Sequence, residues 1–177
     1  MISNKKVITF TAILVIMGLA VLLINFLPFG KNDETTGKIS VFETEKDNIS
    51  GIEIYLGYEN YSFDKSDDGW VVSGDEGKKL KASAVDELAY EFASLNAEQE
   101  IENPLDDSVY GFDIPKAMIN IKYSGNAKMF IIGDRTQIGD MHYFKIMGEP
   151  RVYAVSSEQV NKFTRGLSDY RDKALYL

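Results

Sequence analysis

The stretch AMINIKYSGNAKMFIIGD, residues 117–134, decides the fold. In its first half Ile119 and Ile121 alternate with Asn120 and Lys122. Successive side chains of an extended chain point to opposite faces, so this spacing predicts a strand with one buried face. Gly125-Asn126 interrupts the run, and AKMFIIGD resumes it. Glycine and asparagine between two alternating runs mark a turn. Two more runs follow at short intervals, MHYFKIM (Met141–Met147) and RVYAVS (Arg151–Ser156), punctuated by Gly133-Asp134 and Gly148-Glu149-Pro150.

Upstream the same period appears in ISVFE (Ile39–Glu43) and GIEIYLG (Gly51–Gly57). NYSFD (Asn60–Asp64) and GWVVSG (Gly69–Gly74) flank Lys65-Ser66-Asp67-Asp68, which reads as a hairpin turn. The period then changes. Val85, Leu88, Ala89, Phe92 and Leu95 fall on one face at helical spacing. Ser83 is the expected cap of that helix, with Asp86 three residues on as a capping-box partner. AEQEIE (Ala97–Glu102) returns to extended chain. Ser156 is the expected cap of a last helix, whose stripe is Val160, Phe163, Leu167 and Tyr170. Strands, helix, strands, helix predicts the α+β class: an antiparallel sheet with two packed helices.

Before this domain, Val7 to Phe29 passes 23 residues without a charge. A bilayer core needs about 20 apolar residues in a helix. Residues 1–30 therefore read as a short cytoplasmic tail and a transmembrane signal anchor. The stretch is long for a signal-peptide core, and no small-x-small cleavage site follows it. Lys5 and Lys6 precede it, and Lys31-Asn32-Asp33-Glu34 follows it. Cationic flanks stay cytoplasmic, which places the rest outside the cytoplasm. Residues 31–38, KNDETTGK, are a juxtamembrane linker, and residues 39–177 form one extracytoplasmic domain in a cell membrane, single-pass arrangement.

The formal net charge is −8, and all 27 acidic residues lie beyond residue 30. An acidic surface disfavours nucleic acid. Cysteine is absent, which removes disulfides, thiol catalysis and cysteine-based zinc sites.

Candidate chemistry is sparse. Asp64, Ser66, Asp68 and Asp75 take positions one, three, five and twelve of a calcium-loop spacing, with Gly69 at six. Strand-like flanks and the common turn sequence Asp-Asp-Gly give the same residues a plain hairpin reading. His142 is the only histidine, with no nucleophile setting to serve. Paired carboxylates occur at Asp67-Asp68, Asp106-Asp107 and Glu98/Glu100, and hydrolysis would need two from distant segments to face one cleft. No cofactor is expected. Aromatics on wet strand faces, Tyr143 among them, offer a sugar-stacking or partner-binding patch.

VYGFDIPKAMINI (Val109–Ile121) enters the first strand quoted above through a corner. Pro115 lacks an N–H and biases Ile114 towards extended chain. Gly111 can take a positive φ, and Tyr110 and Phe112 can anchor the turn by packing. These residues are read as structural.

The ordered set ISGIEI, FDKSDDGWVV with Trp70, the Ser83 helix, YGFDIP, MFIIGD with Gly133, HYFKI, RVYAVSS and YRDKAL with Arg171 resembles the DUF4340 family. The resemblance covers roughly Ile39 to Leu175, and its most recognisable piece is Tyr110, Gly111 and Pro115. It implies a transmembrane helix followed by an extracytoplasmic α+β domain with no known catalytic residues. Some members look like accessory proteins of ABC-type transport systems. Many continue into a second, similar unit, so a lone unit is expected to meet a second copy or a partner. The sequence thus leads to a non-enzymatic, membrane-tethered interaction domain with a transport-component partner or self-association. The alternatives are a cell-wall polymer or glycan binding module and, third, a carboxylate-dependent hydrolase.

Overall fold

The computed structural model describes residues 37–74 and 79–172. The expected signal anchor, most of the linker, Asp75 and the last five residues lie outside them. Among the described residues no helix is long and apolar enough to cross a membrane.

In chain order the strands are β1 (Ile39–Glu43), β2 (Ile49–Leu56), β3 (Asn60–Ser66) and β4 (Gly69–Val72), followed by α1 (Ala82–Ala93). Next come β5 (Ser94–Ala97), β6 (Gln99–Ile101), β7 (Ala117–Tyr123), β8 (Asn126–Arg135), β9 (Met141–Ile146), β10 (Val152–Ser156) and α2 (Ser157–Phe163). Eight strands form one sheet in the order β4-β3-β2-β7-β8-β9-β10-β6, and β1 and β5 form a separate pair. Every pairing is antiparallel. Short turns close β2–β3–β4 and β7–β8–β9–β10 into two meanders. β2 and β7 join them edge to edge.

The alternation at 117–134 sets which face is buried. Ile119 and Ile121 sit in register with Ile54 and Ile52 of β2, and Ile119 with Phe130 of β8; all five are fully buried. The helices close this face. On α1 the stripe Val85, Leu88, Ala89 and Phe92 is buried. Phe92 stacks on Phe163 of α2, with centroids 4.2 Å apart and planes 22° apart, and tilts against Phe130 at 5.5 Å. One aromatic thus links both helices to the sheet.

Helix boundaries differ from the sequence reading, for tertiary reasons. α1 begins at Ala82 with Lys81 as its cap, and no side chain caps it. Its start is fixed instead by the Leu80–Arg171 bridge and by Lys81 N–H donating to Tyr170 O at 2.8 Å. Asp86 accepts the indole N–H of Trp70 at 3.3 Å rather than completing a capping box. Leu95 lies on β5, because the chain turns extended at Ser94, yet it stays in the core. Ser156 does cap α2, accepting Gln159 N–H at 3.3 Å. That helix stops at Phe163, where Thr164 bonds back through its hydroxyl to Val160 O. Leu167 and Tyr170 belong to a separate 3-10 turn, and Tyr170 is fully buried nonetheless.

Candidate functional site

The corner before β7 is a strap across the sheet face opposite the helices. Asp107–Tyr110 forms a 3-10 turn, and Gly111 ends it at φ 74°. The Tyr110 hydroxyl accepts Leu105 N–H at 3.0 Å, and its ring meets Tyr143 edge-on at 4.9 Å. Tyr110, Phe112, Ile131 and Val152 form a second apolar cluster, apart from the main core. Lys145 holds both Asp107 carboxylate oxygens, at 2.7 and 2.9 Å, with its ammonium 5.4 Å from the Phe112 ring centroid. Gly133 lies directly beneath: a Cβ there would sit 2.1 Å from Tyr110 O. Tyr110-Gly111 and Gly133, separate landmarks in the sequence, are therefore two halves of one close contact. Past Pro115, Lys116 N–H donates to Ile132 O at 2.8 Å and starts β7.

The calcium-spaced residues lie on a hairpin. Asp64 is paired with Val71 across the β3–β4 ladder. Its carboxylate accepts the Ser73 hydroxyl and lies 3.8 Å from Lys122. Ser66 donates to Gly69 O at 2.8 Å, and Asp68 is in the exposed turn. Asp75 is outside the described residues. Among the described residues no group of three or more His, Asp or Glu side chains is placed to hold a metal ion. His142 is buried on β9, with Nδ1 3.4 Å from Gly133 O. Burial, then the nearby Lys116 charge, lowers its pKa, which favours the neutral ring. Tyr143 is half-buried, and its ring meets Tyr110 edge-on. Among the described residues the exposed aromatic side chains are Tyr58 and Tyr90.

A polar cluster crosses the same sheet face at β3, β2 and β7. Glu53 Oε2 accepts from Asn120 at 3.0 Å and from the Tyr55 hydroxyl at 2.9 Å, while Oε1 meets Lys122 at 2.7 Å. The Asn120 bond, then Lys122, holds the Glu53 pKa down to about 2 from 4.5. A carboxyl whose pKa is lowered by folding stabilises the fold above its unfolded pKa and loses that contribution as pH falls through the folded value. Wild type is therefore expected to lose about 1–2 kcal/mol between pH 5 and 2 through this group, allowing for solvent screening. Glu53→Gln should remove that part of the pH dependence. Thermal melts of both proteins across this range check it; parallel curves contradict it.

The remaining feature is an open strand edge. The run Ser94–Ile101 bends at Glu98: β5 pairs with β1, whereas β6 pairs with β10. Glu98 N–H still donates to Ala154 O at 2.9 Å, so the chain stays on β10 through the bend. β1 starts at Ile39, opposite Ala97. Beyond that point β6 has no strand on its outer side among the described residues. A groove of about 650 Å³ lies there, bounded by Ile39, Glu98–Pro104, Pro150 and Arg151. Arg151 pairs with Glu149 at 3.1 Å and stacks 5.7 Å above the ring of Tyr153, a fully buried residue whose hydroxyl has no hydrogen-bond partner. Sequence reading marked Glu98 and Glu100 only as paired carboxylates. A groove formed where two strands diverge has no linear signature.

Searches of curated proteins and of solved structures return no match. A family model described as a domain of unknown function, DUF4340, matches residues 70–176. The match runs from Trp70 through α1, the strap, the second meander and α2, well over half of the chain. The chain belongs to the DUF4340 family.

Proposed function

We propose that this chain is a membrane-tethered, extracytoplasmic accessory domain that holds a protein partner of a transport or envelope system and performs no catalysis of its own. The observation that carries the reading is the β6 edge with its groove. An unpaired strand edge is a row of backbone donors and acceptors ready for another chain. A groove of about 650 Å³ is within the range that accommodates a bound segment. The tether is supported by the uncharged Val7–Phe29 stretch. The non-catalytic part is supported by how the carboxylates are used: Glu53, Asp64 and Asp107 are each engaged by a lysine in a structural pairing.

The absence of cysteine makes the test clean. Asp67→Cys in the β3–β4 turn should react with a membrane-impermeant maleimide in intact cells. A photo-crosslinking phenylalanine at position 99 should give a discrete adduct in membranes, and the same group at the exposed Tyr90 on α1 should not. Labelling only after lysis overturns the topology, and identical products from positions 99 and 90 overturn the docking role.

A further inference from the structure

We infer that His142, the chain's only histidine, is the proton-sensitive end of a latch that holds the strap to the sheet and loosens on acidification. This device is independent of the docking role proposed above. It follows from a bulge in β8, the ring beside it and the charges around that ring.

β8 carries one residue more than β9 between Ile132, opposite Phe144, and Arg135, opposite His142. The bulge therefore falls at Gly133-Asp134. A bulge disrupts the ladder locally and frees backbone groups for other partners. Here the buried His142 ring is such a partner, with Nδ1 3.4 Å from Gly133 O. A contact of this length is weak and easily given up.

The strap rests on the same two residues. A Cβ on Gly133 would stand 2.1 Å from Tyr110 O, and a Cβ on Gly111 would stand 2.5 Å from the Asp134 carboxyl carbon. Packing this close transmits a small shift of the bulge to the strap. His142 thus touches the bulge on one strand, and the strap sits directly on it.

Among the described residues, Lys116 faces the ring from the segment entering β7, Arg135 from β8 and Asp140 from the loop before β9. β10 presents Val155 opposite the ring, and Glu158 in the first turn of α2 is exposed. Two cations stand against one carboxylate, and Arg135 already holds that carboxylate at 2.8 Å. Nε2 makes no hydrogen bond among the described residues. Burial, then Lys116, lowers the ring's pKa from its ordinary 6.5; Gly133 O and Asp140 act the other way without offsetting them. A proton on Nε2 therefore adds a charge where the ring has no second acceptor. The ring relieves this by swinging to water, towards the exposed Asp140, and it then leaves Gly133 O and the bulge.

The sign follows from linkage. With the strap closed the ring's pKa is lowered, and with the strap open it returns to the ordinary value. The latch is fully held above 6.5 and weakens as pH falls through the closed-state value. Carboxylates ordinarily titrate lower, Glu53 at about 2, so this window belongs to His142.

The test uses the full chain in detergent micelles. Proton NMR follows the ring of the only histidine. Hydrogen exchange follows the amides of Val109 and Phe112, which bond within the strap, and of Lys116, which ties it to β8. His142 is expected to titrate below 6.5. Protection factors at those amides should fall about threefold or more between about pH 7.5 and 5.5, with Ile119 and Ile121 of β7 unchanged. His142→Asn, whose amide can still donate to Gly133 O, should give a flat strap profile over that range. Lys116→Gln, at an exposed position, serves if the first variant does not fold. It should raise the His142 midpoint and shrink the pH effect on the strap. A midpoint at or above 6.5, a strap profile that is flat in wild type or matched by β7, an unaltered profile in His142→Asn, or an unmoved midpoint in Lys116→Gln each overturn the proposal.

Discussion

Gly133→Ala is expected to detach the strap from the sheet and to cost more than about 4 kcal/mol, in the range reserved for severe core disruption. The added Cβ would lie 2.1 Å from Tyr110 O and 2.9 Å from the Phe112 ring. The first of these is a backbone atom, so no rotamer change relieves it. The strap must lift, which exposes Ile131 and Val152 and breaks the edge contact between Tyr110 and Tyr143. It also removes Asp107 from the two short bonds to Lys145. Gly111→Ala meets a different obstacle. Its Cβ would approach the Asp134 carboxylate at 2.5 Å, and that side chain can turn away. What remains is the positive φ of 74°, which costs a non-glycine residue about 1–2 kcal/mol. Gly111→Ala is therefore expected to be the milder variant. Chemical denaturation of both checks the order, and a Gly133→Ala protein as stable as wild type would contradict the contact itself.

That difference shows what the sequence could and could not carry. Period-two alternation identified β2, β3, β4, β7 and β9, because Ile119, Ile121 and their neighbours must all face one covered side, whereas β8 and β10 are buried on both faces and were marked by apolar runs between turn residues. Composition marked Gly111, Pro115 and Gly133 as special. Nothing in their spacing says that residue 133 lies under residue 110, since that contact joins a strap to a strand by tertiary packing. The same limit explains α1. A serine before an apolar stripe is a sound local signal, yet the helix starts at Ala82 because Leu80 is held by Arg171 from the far end of the domain. The β6 edge is the strongest case. AEQEIE reads correctly as extended chain, but its bend at Glu98 depends on β1 taking one half and β10 the other. Local propensity cannot encode a choice between two distant partners.

Phe92→Ala is expected to be the most destabilising substitution in the main core, at about 3–5 kcal/mol. Phe92 is fully buried and joins three elements. It belongs to α1, stacks on Phe163 of α2 at 4.2 Å, and tilts against Phe130 of β8 at 5.5 Å. Aromatic pairs of this kind add about 0.5–1.5 kcal/mol beyond area burial. Phe130 passes the contact on to Phe144 at 5.7 Å and to Phe42 at 5.5 Å, so the cavity would open where both helices and β1 meet the sheet. Rigid strands around it limit collapse, which keeps the cavity contribution high. Phe92→Leu should recover roughly half of the loss, because it refills most of the volume without the stacked geometry. The two proteins should differ from wild type in denaturation midpoint and not in slope. A Phe92→Ala midpoint within experimental error of wild type would mean that the helices are not held to the sheet through this residue.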